Sequence, residues 1–277
     1  MIVTLGIFLA LITVYVPILS ILSLVIPVPY AIIGTLTNNK YSVLSLIVTF
    51  FVLMFSVDPI YSISICIMSV LPGIVIGSVA RENMKSDQSN KFEPIYMGTI
   101  AVVISIIIFY LVSNLVLGTN VLEDFMNIIR ETMSSQVGIL QTAGISLKEG
   151  MRVEDFIDLI SNMLPTILFL NGMIVAFVTY SLEVFILKRI RISNLEKPKF
   201  IDFYLPGNAI TTSFMLYMLV LLIDIIGIKL HTDLIMMNLQ LVFSFMFMIQ
   251  GISVSIYYVK KWFEKNESRK IFISGII

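Results

Sequence analysis

The sequence predicts an all-α fold, a polytopic transmembrane helical bundle. Two observations predict it: 58% of the 277 residues are hydrophobic, and the 13% that are charged are concentrated in segments between or after long apolar runs. A water-soluble domain typically has about a quarter of its residues charged, so this class is excluded. The formal net charge is zero, and nearly all charges are confined to those segments, so no basic face for nucleic acid is indicated.

A membrane-spanning helix needs about 20 apolar residues, and this length gives seven full spans. They are Ile2–Leu22, Val43–Val57, Ile60–Val79, Ile95–Leu117, Met163–Leu187, Asn208–Ile228 and Leu234–Val259. The first lacks the basic start and cleavage site of a signal peptide, so we expect a retained helix. One further segment, Leu24–Thr37, is predicted to be short or re-entrant, because Pro27 and Pro29 cannot both lie within a helix without breaking its hydrogen bonds.

Lysines and arginines predict the orientation, because cytoplasmic loops are enriched in them. Both the basic loop 188–207 and the basic tail 260–277 are therefore predicted to be cytoplasmic, which makes the insertion 118–162 external. If Leu24–Thr37 crosses the membrane, which we favour, both chain ends are cytoplasmic; otherwise the N-terminus is external. The sequence thus predicts one multi-pass domain, residues 1–277, in the inner (cytoplasmic) cell membrane.

The insertion 118–162 is predicted to contain two external amphipathic helices. Their apolar stripes recur at helical spacing, and consist of Leu122, Phe125, Met126, Ile129 and Met133 and of Val153, Phe156, Ile157 and Ile160. We expect both helices to lie on the membrane surface, with Gly138, Gly144 and Gly150 between them as a hinge or lid. The alternative is that they only cover the outer mouth of the bundle.

Two carboxylates, Asp224 and Glu183, lie inside long apolar runs. Placing such a group in hydrocarbon costs ~2.5–3.5 kcal/mol on insertion scales, so a retained one usually has a partner or a task. Asp224 is predicted to be a working residue, although Lys229 follows at a helix end and a structural role is the alternative. Glu183 is the weaker candidate, because it lies five residues before Lys188 and could extend to the membrane surface.

Polar side chains are biased towards the predicted outer half of the membrane. Five of them form the candidate ligand-binding set, namely Asp58, Asn171, Asp224, Asn238 and Gln240. One hypothesis is an outward-facing polar cup for a small solute. The other is that Asp224, Asn171 and Gln240 form interhelical hydrogen bonds that only specify packing. Glu183 and Gln250 lie in the inner half, so the bias is partial.

Pairs of small residues four positions apart predict close helix packing. Gly73 and Gly77 form one pair, and Gly251 and Ser255 form the other. Such pairs allow two helix backbones to approach each other. We expect a structural role for both.

No enzymatic activity is predicted. Cys66 and His231 are the single cysteine and histidine, so the usual zinc sites and an intrachain disulfide are excluded. No metal or cofactor is expected, beyond at most a hard cation held by oxygen ligands. Phosphate-binding and hydrolase motifs are absent from the sequence, and Asp224 has no visible second titratable group beside it. The expected partners are the lipid bilayer, a membrane-protein partner or coupling subunit, and a small solute.

Several short segments resemble a known family. These are K-F-I-D-F-Y-L-P at Lys199–Pro206, F-M-I-Q-G-I-S-V at Phe247–Val254, P-x-P at Pro27–Pro29 and P-G-x-x-x-G at Pro72–Gly77. They resemble the YybS-like bacterial membrane protein family (domain of unknown function 2232), with Tyr204 where that family usually has tryptophan. The family lacks an established activity.

The helical plan of that family is similar to those of two better-known classes of membrane protein. Likeness to the S components of energy-coupling-factor transporters implies a solute-binding component of a transporter. Likeness to the rod-shape protein MreD implies a scaffold or assembly factor with no ligand. A transporter component should present small-residue helix faces to a coupling subunit, whereas a scaffold needs a sizeable exposed surface for its partner.

Overall fold

The computed structural model describes residues 1–85, 90–116, 118–142, 153–192, 195, 198–205, 208–227 and 231–264. All regular elements among these residues are helical, which confirms the predicted fold class. Six segments of the described chain are long and apolar enough to cross a membrane: Pro17–Leu36, Asn39–Ser56, Pro59–Asn83, Glu93–Leu115, Glu154–Arg189 and Thr232–Phe263. Within the predicted domain 1–277 the chain forms two compact units, Met1–Lys197 and Pro198–Ile277.

The described residues of the first unit form eight α-helices. They are α1 (Ile2–Tyr15), α2 (Pro27–Leu36), α3 (Asn39–Ser56), α4 (Pro59–Ile65), α5 (Leu71–Asn83), α6 (Glu93–Leu115), α7 (Val121–Thr142) and α8 (Val153–Arg189). A 3-10 helix, Pro17–Val25, joins α1 to α2, and a π-helical turn, Cys66–Val70, joins α4 to α5. The wider π turn lies directly before Pro72, whose ring would clash with the preceding turn of a regular α-helix.

The N-terminal region differs from the prediction. The predicted span Ile2–Leu22 is interrupted, because Val16 precedes Pro17 and adopts a non-helical backbone with φ −127° and ψ 85°. The segment Pro17–Leu36 is the one with spanning length, and the predicted short element Leu24–Thr37 supplies its second half. Both prolines of that element lie in the first turn of α2, where a missing N–H costs nothing.

The core of the first unit is the contact between α2 and α5. Every residue of α2 from Pro27 to Thr35 is buried. A side-chain carbon at Gly77 or Gly73 would overlap the Ala31 or Pro27 carbonyl group of α2, and one at Gly34 would lie 2.7 Å from the Ile74 carbonyl oxygen. The close approach predicted for the Gly73 and Gly77 pair is therefore confirmed, and it brings two backbones into direct contact.

The predicted insertion 118–162 also differs in part from the structure. Its first amphipathic helix is present as α7, and its second is the beginning of α8, which continues without a break through Pro165 to Arg189. Met126, Ile129 and Met133 of α7 are partly buried where α7 packs on α8. Gly138 lies within α7, whereas Gly144 and Gly150 lie outside the described residues, so a hinge there stays a prediction.

Where the second unit is described, it forms a 3-10 turn at Phe200–Asp202 and two α-helices, α9 (Ala209–Ile225) and α10 (Thr232–Glu264). With 17 residues, α9 is shorter than the predicted span Asn208–Ile228, and Ile228 itself lies outside the described chain. The helix ends where Gly227 adopts φ +80° and its N–H bonds to the Asp224 carbonyl, a conformation that favours glycine. The predicted basic segments 188–207 and 260–277 are described only in part, without residues 193–194, 196–197, 206–207 and 265–277.

Candidate functional site

Glu183 on α8 is the only acidic or basic side chain that the described part of the chain buries completely. It shares one face of α8 with Tyr180, Val184 and Leu187, which are at most 1% exposed, and this spacing of three, four and seven residues is that of a helix face turned into a core. The face packs against α2, α5 and α6. The carboxyl group therefore lies among helices and not at a lipid surface.

The expectation that Glu183 could extend to the membrane surface is wrong. Its exposed fraction is 0%, and its Oε1 accepts a hydrogen bond from Thr35 Oγ1 of α2. The physical reason is the direction of the side chain. The Cα–Cβ bond of a helical residue tilts towards the helix N-terminus, which at Glu183 is away from Lys188 and the helix end.

Thr35 lies at the centre of the site. Its Oγ1 is also 3.2 Å from the Ala31 carbonyl oxygen of its own helix and 3.0 Å from the Gly77 carbonyl oxygen of α5. The second contact exists because the glycines let α5 approach α2. Close backbone packing thus places a carbonyl oxygen, a hydroxyl and a carboxyl from three helices at one point.

Acceptors outnumber donors at this point. A threonine hydroxyl carries one hydrogen, so it can serve only one of Ala31 O, Gly77 O and Glu183 Oε1 well. Glu183 Oε2 is buried and has no hydrogen-bond partner within the described part of the chain. If Glu183 carries a proton, it can donate to Thr35 Oγ1, and the Thr35 hydroxyl can donate to a carbonyl. The arrangement suits a proton or a small cation bound at the carboxyl group.

Arg81 fixes the end of α2 that carries Thr35. Its guanidinium donates to the Thr37 carbonyl and to Asn39 Oδ1. Thr37 follows the last helical residue of α2 and would otherwise leave its carbonyl without an intrahelical donor. This contact stabilises the C-terminal turn of α2 and so positions Thr35.

The predicted ligand set is divided between the two units, with Asp58 and Asn171 in the first and the other three members in the second. Asp58 caps the N-terminus of α4, accepting a hydrogen bond of 2.7 Å from the Tyr61 N–H. Asn171 is exposed on α8. Neither residue lies in the buried site at Glu183, and the predicted approach of Asn171 to Asp224 stays a prediction.

In the second unit, Asp224 is exposed in the last turn of α9 and accepts a 3.1 Å hydrogen bond from Thr232 Oγ1. Asn238 donates to the Leu234 carbonyl of its own helix at 2.9 Å, and Gln240 is exposed. Each of these hydrogen bonds goes to a residue outside the predicted set. The polar cup stays a hypothesis.

Sequence reasoning missed Thr35. Its segment is uniformly apolar, and a threonine there usually bonds its own helix, as Thr35 also does to Ala31. The available signals were the glycines on either side of the contact, Gly34 and Gly77, which predict that α2 lies against a neighbouring backbone. No pattern in the sequence pairs that position with Glu183, 148 residues later.

The second unit brings together the two longer segments that carry the family resemblance. Gln250 Oε1 of α10 accepts a 3.2 Å hydrogen bond from the Leu205 N–H. Ser253 Oγ, one turn further along α10, lies 3.2 Å from the Ile201 carbonyl oxygen and 3.1 Å from that of Phe203. The loop K-F-I-D-F-Y-L-P is thus attached to α10 by the polar residues of the second segment.

Comparison with known proteins agrees with the resemblance. The family described as "Predicted membrane protein (DUF2232)" matches residues 4–277. The chain is 24% identical over 266 residues to "Uncharacterized protein YybS" of Bacillus subtilis (strain 168). The aligned residues cover 91% of this chain and 80% of that protein. No solved structure matches the chain.

Proposed function

We propose that this chain, which belongs to the DUF2232 family of predicted membrane proteins, is a non-enzymatic, small-solute-binding component of a transporter in the cell membrane. The observation that carries the proposal is the fully buried Glu183, with one carboxyl oxygen bonded to Thr35 and the other without a partner in the described chain. Ionisable residues inside membrane helices typically mark solute or ion pathways.

The chemistry of the site suggests what Glu183 contributes. The hydroxyl of Thr35, which donates to Glu183, also lies within hydrogen-bond distance of two carbonyl oxygens, those of Ala31 on α2 and Gly77 on α5. Such a site binds a proton or a small hard cation, which prefer oxygen ligands. Solute binding would then be coupled to the binding of a proton or cation by the carboxyl group of Glu183.

The orientation belongs to the same proposal. Lys188 and Arg189 lie in the last turn of α8, and Arg191 follows it; Lys260 and Lys261 follow the apolar part of α10. Under the positive-inside rule, the C-terminal ends of α8 and α10 therefore face the cytoplasm. Cysteine substitution tests this. A cysteine at Ser135, exposed on α7, is expected to react with an impermeant thiol reagent in intact cells, and one at Ser193 is expected not to react. Labelling at Ser193 but not at Ser135 would show that the orientation is the opposite one.

Native mass spectrometry of the purified protein tests solute binding. A small molecule is expected to co-purify with the wild type and with Asp224→Asn, and to be lost from Glu183→Gln. Glutamine keeps the shape of the side chain and cannot exchange a proton, so the variant should stay folded, as far-UV circular dichroism and thermal unfolding would show. Equal retention of the molecule in Glu183→Gln would remove Glu183 from the proposal.

The alternative is a membrane scaffold or assembly factor with no ligand. One observation favours it: almost none of the residues in the apolar part of α10 is buried, and a side-chain carbon at Gly251 would meet no atom of the described residues within 4 Å. Such a helix offers an apolar surface to another membrane protein. A wild type that carries no small molecule but retains a stoichiometric protein subunit through purification would support this alternative.

A further inference from the structure

We propose that an open cleft in the second unit binds the phosphate group of an anionic phospholipid. The cleft has a volume of about 310 Å³ and is lined by Lys199, Ile201, Asp202, Tyr257, Lys260 and Lys261. It lies in the Pro198–Ile277 unit and involves none of the residues around Glu183.

The fold builds this cleft from two sides. Lys199 and Asp202 come from the loop before α9, and Tyr257, Lys260 and Lys261 come from α10. The hydrogen bonds of Gln250 and Ser253 attach the loop to α10 one to three turns earlier. Positions 250, 253, 257, 260 and 261 recur at helical spacing, so the face that holds the loop continues directly into the cleft.

The charge of the lining selects an anion. Among the described lining residues there are three lysines and one aspartate, an excess of two positive charges. Lysine ammonium groups bind phosphate as point charges, and lysines from two separate segments can approach one phosphate from different directions. Asp202 lies among them and reduces the positive excess without cancelling it.

The position of the cleft favours a lipid over a free phosphate. Lys260 and Lys261 directly follow the apolar part of the last span, and the aromatic side chains at this end of α10 are exposed, with Tyr257 50%, Tyr258 64% and Trp262 56% accessible. Tyrosine and tryptophan concentrate at the headgroup level of a bilayer. Clustered lysines at that level are typical of sites for anionic lipid headgroups.

The single tryptophan of the chain, Trp262, provides the measurement, because it follows Lys261 directly. The full-length protein is reconstituted in phosphatidylcholine vesicles that contain a low, equal fraction of either brominated phosphatidylglycerol or brominated phosphatidylcholine. Bromine quenches tryptophan fluorescence only at short range. We expect the brominated phosphatidylglycerol to quench Trp262 more strongly, and the preference to fall roughly fivefold for each cleft lysine that is removed.

Charge variants separate the cleft from general surface attraction. Lys199→Gln and Lys260→Gln should each reduce the preference, whereas Lys40→Gln, at an exposed lysine of α3, should not. Asp202→Asn should raise it, a change in the opposite direction that loss of folding cannot imitate. Equal quenching by both lipids, or an equal effect of Lys40→Gln, would overturn the proposal. Competition by inorganic phosphate at constant ionic strength would assign the cleft to a soluble phosphate and overturn the choice of lipid.

Discussion

The two units of the molecule contain the same two sequence features and use them differently. Each has a pair of small residues four positions apart and one acidic residue within an apolar run. In the first unit, Gly73 and Gly77 are in contact with the backbone of α2. In the second, no described residue lies within 4 Å of a side-chain carbon placed at Gly251, and Ser255 donates to the Gly251 carbonyl of its own helix. The first pair has its partner helix within its unit, and the second has none among the described residues of its own unit.

The carboxylates differ in the same way. Glu183 is fully buried and bonds to a residue of another helix, 148 positions away in the chain, whereas Asp224 is exposed and bonds to Thr232, eight positions away. Glu183 is therefore stabilised by a contact with a distant helix, whereas Asp224 is stabilised by a local contact at a helix end. A polar residue in an apolar run indicates a requirement for a partner, and the fold decides what the partner is.

The largest loss of stability is expected from a substitution at Gly77, compared with the same substitution at Gly251. Gly77→Ala would place a methyl group against the Ala31 carbonyl of α2 and force two helix backbones apart. Overpacking typically costs ~1–3 kcal/mol and occasionally more, and we expect the upper end because the obstacle is backbone. Thermal unfolding in detergent measures the loss. Gly251→Ala is the matched control. Because no atom of the described residues lies within 4 Å of the added carbon, this change should leave stability unchanged or raise it through better helix propensity.

Equal unfolding temperatures for Gly77→Ala and Gly251→Ala would show that α2 and α5 are not in backbone contact. The two small-residue pairs would then not differ in packing. If Gly251→Ala alone raised the unfolding temperature, the difference in packing between the two pairs would be confirmed.

A smaller effect is expected from Thr35→Val, which keeps the shape of the side chain and removes its hydroxyl. Glu183 would then lose its hydrogen-bond donor in a buried site, and an unsatisfied buried polar group costs ~1–3 kcal/mol. Thr232→Val removes the corresponding donor from Asp224, which is exposed and not enclosed by the described residues, so its cost should be well below that of Thr35→Val.

A double-mutant cycle shows whether the cost of Thr35→Val comes from Glu183. Thr35→Val should cost less in a Glu183→Leu background, where no carboxyl group remains to be satisfied. Strict additivity of the two substitutions would contradict the contact between them.

The sequence predicted the fold class and most helices because both depend on local composition, and it predicted the packing role of Gly73 and Gly77 because small residues act in a recognisable pattern. It failed at the first span, where Pro17 interrupts an apolar run that a length criterion alone counts as continuous. It also led to the wrong expectation that Glu183, five residues before Lys188, could reach the membrane surface, whereas the structure buries Glu183 completely. Burial depends on which neighbour covers a helix face, and that information lies in residues far away along the chain.

The smallest effect should come from Asp224. Asp224→Asn keeps the shape and one oxygen acceptor for Thr232, so we expect a stability change close to zero, and Asp224→Leu should cost little more because Asp224 is exposed and its contact with Thr232 is a local one. Glu183→Gln and Glu183→Leu provide the comparison, since leucine there removes the acceptor of a buried hydrogen bond. Thermal unfolding and native mass spectrometry of the four variants separate stability from ligand retention. If Asp224→Asn loses a co-purifying molecule while folded and Glu183→Gln keeps it, the working carboxylate is the exposed one, and Glu183 serves only to join α8 to α2.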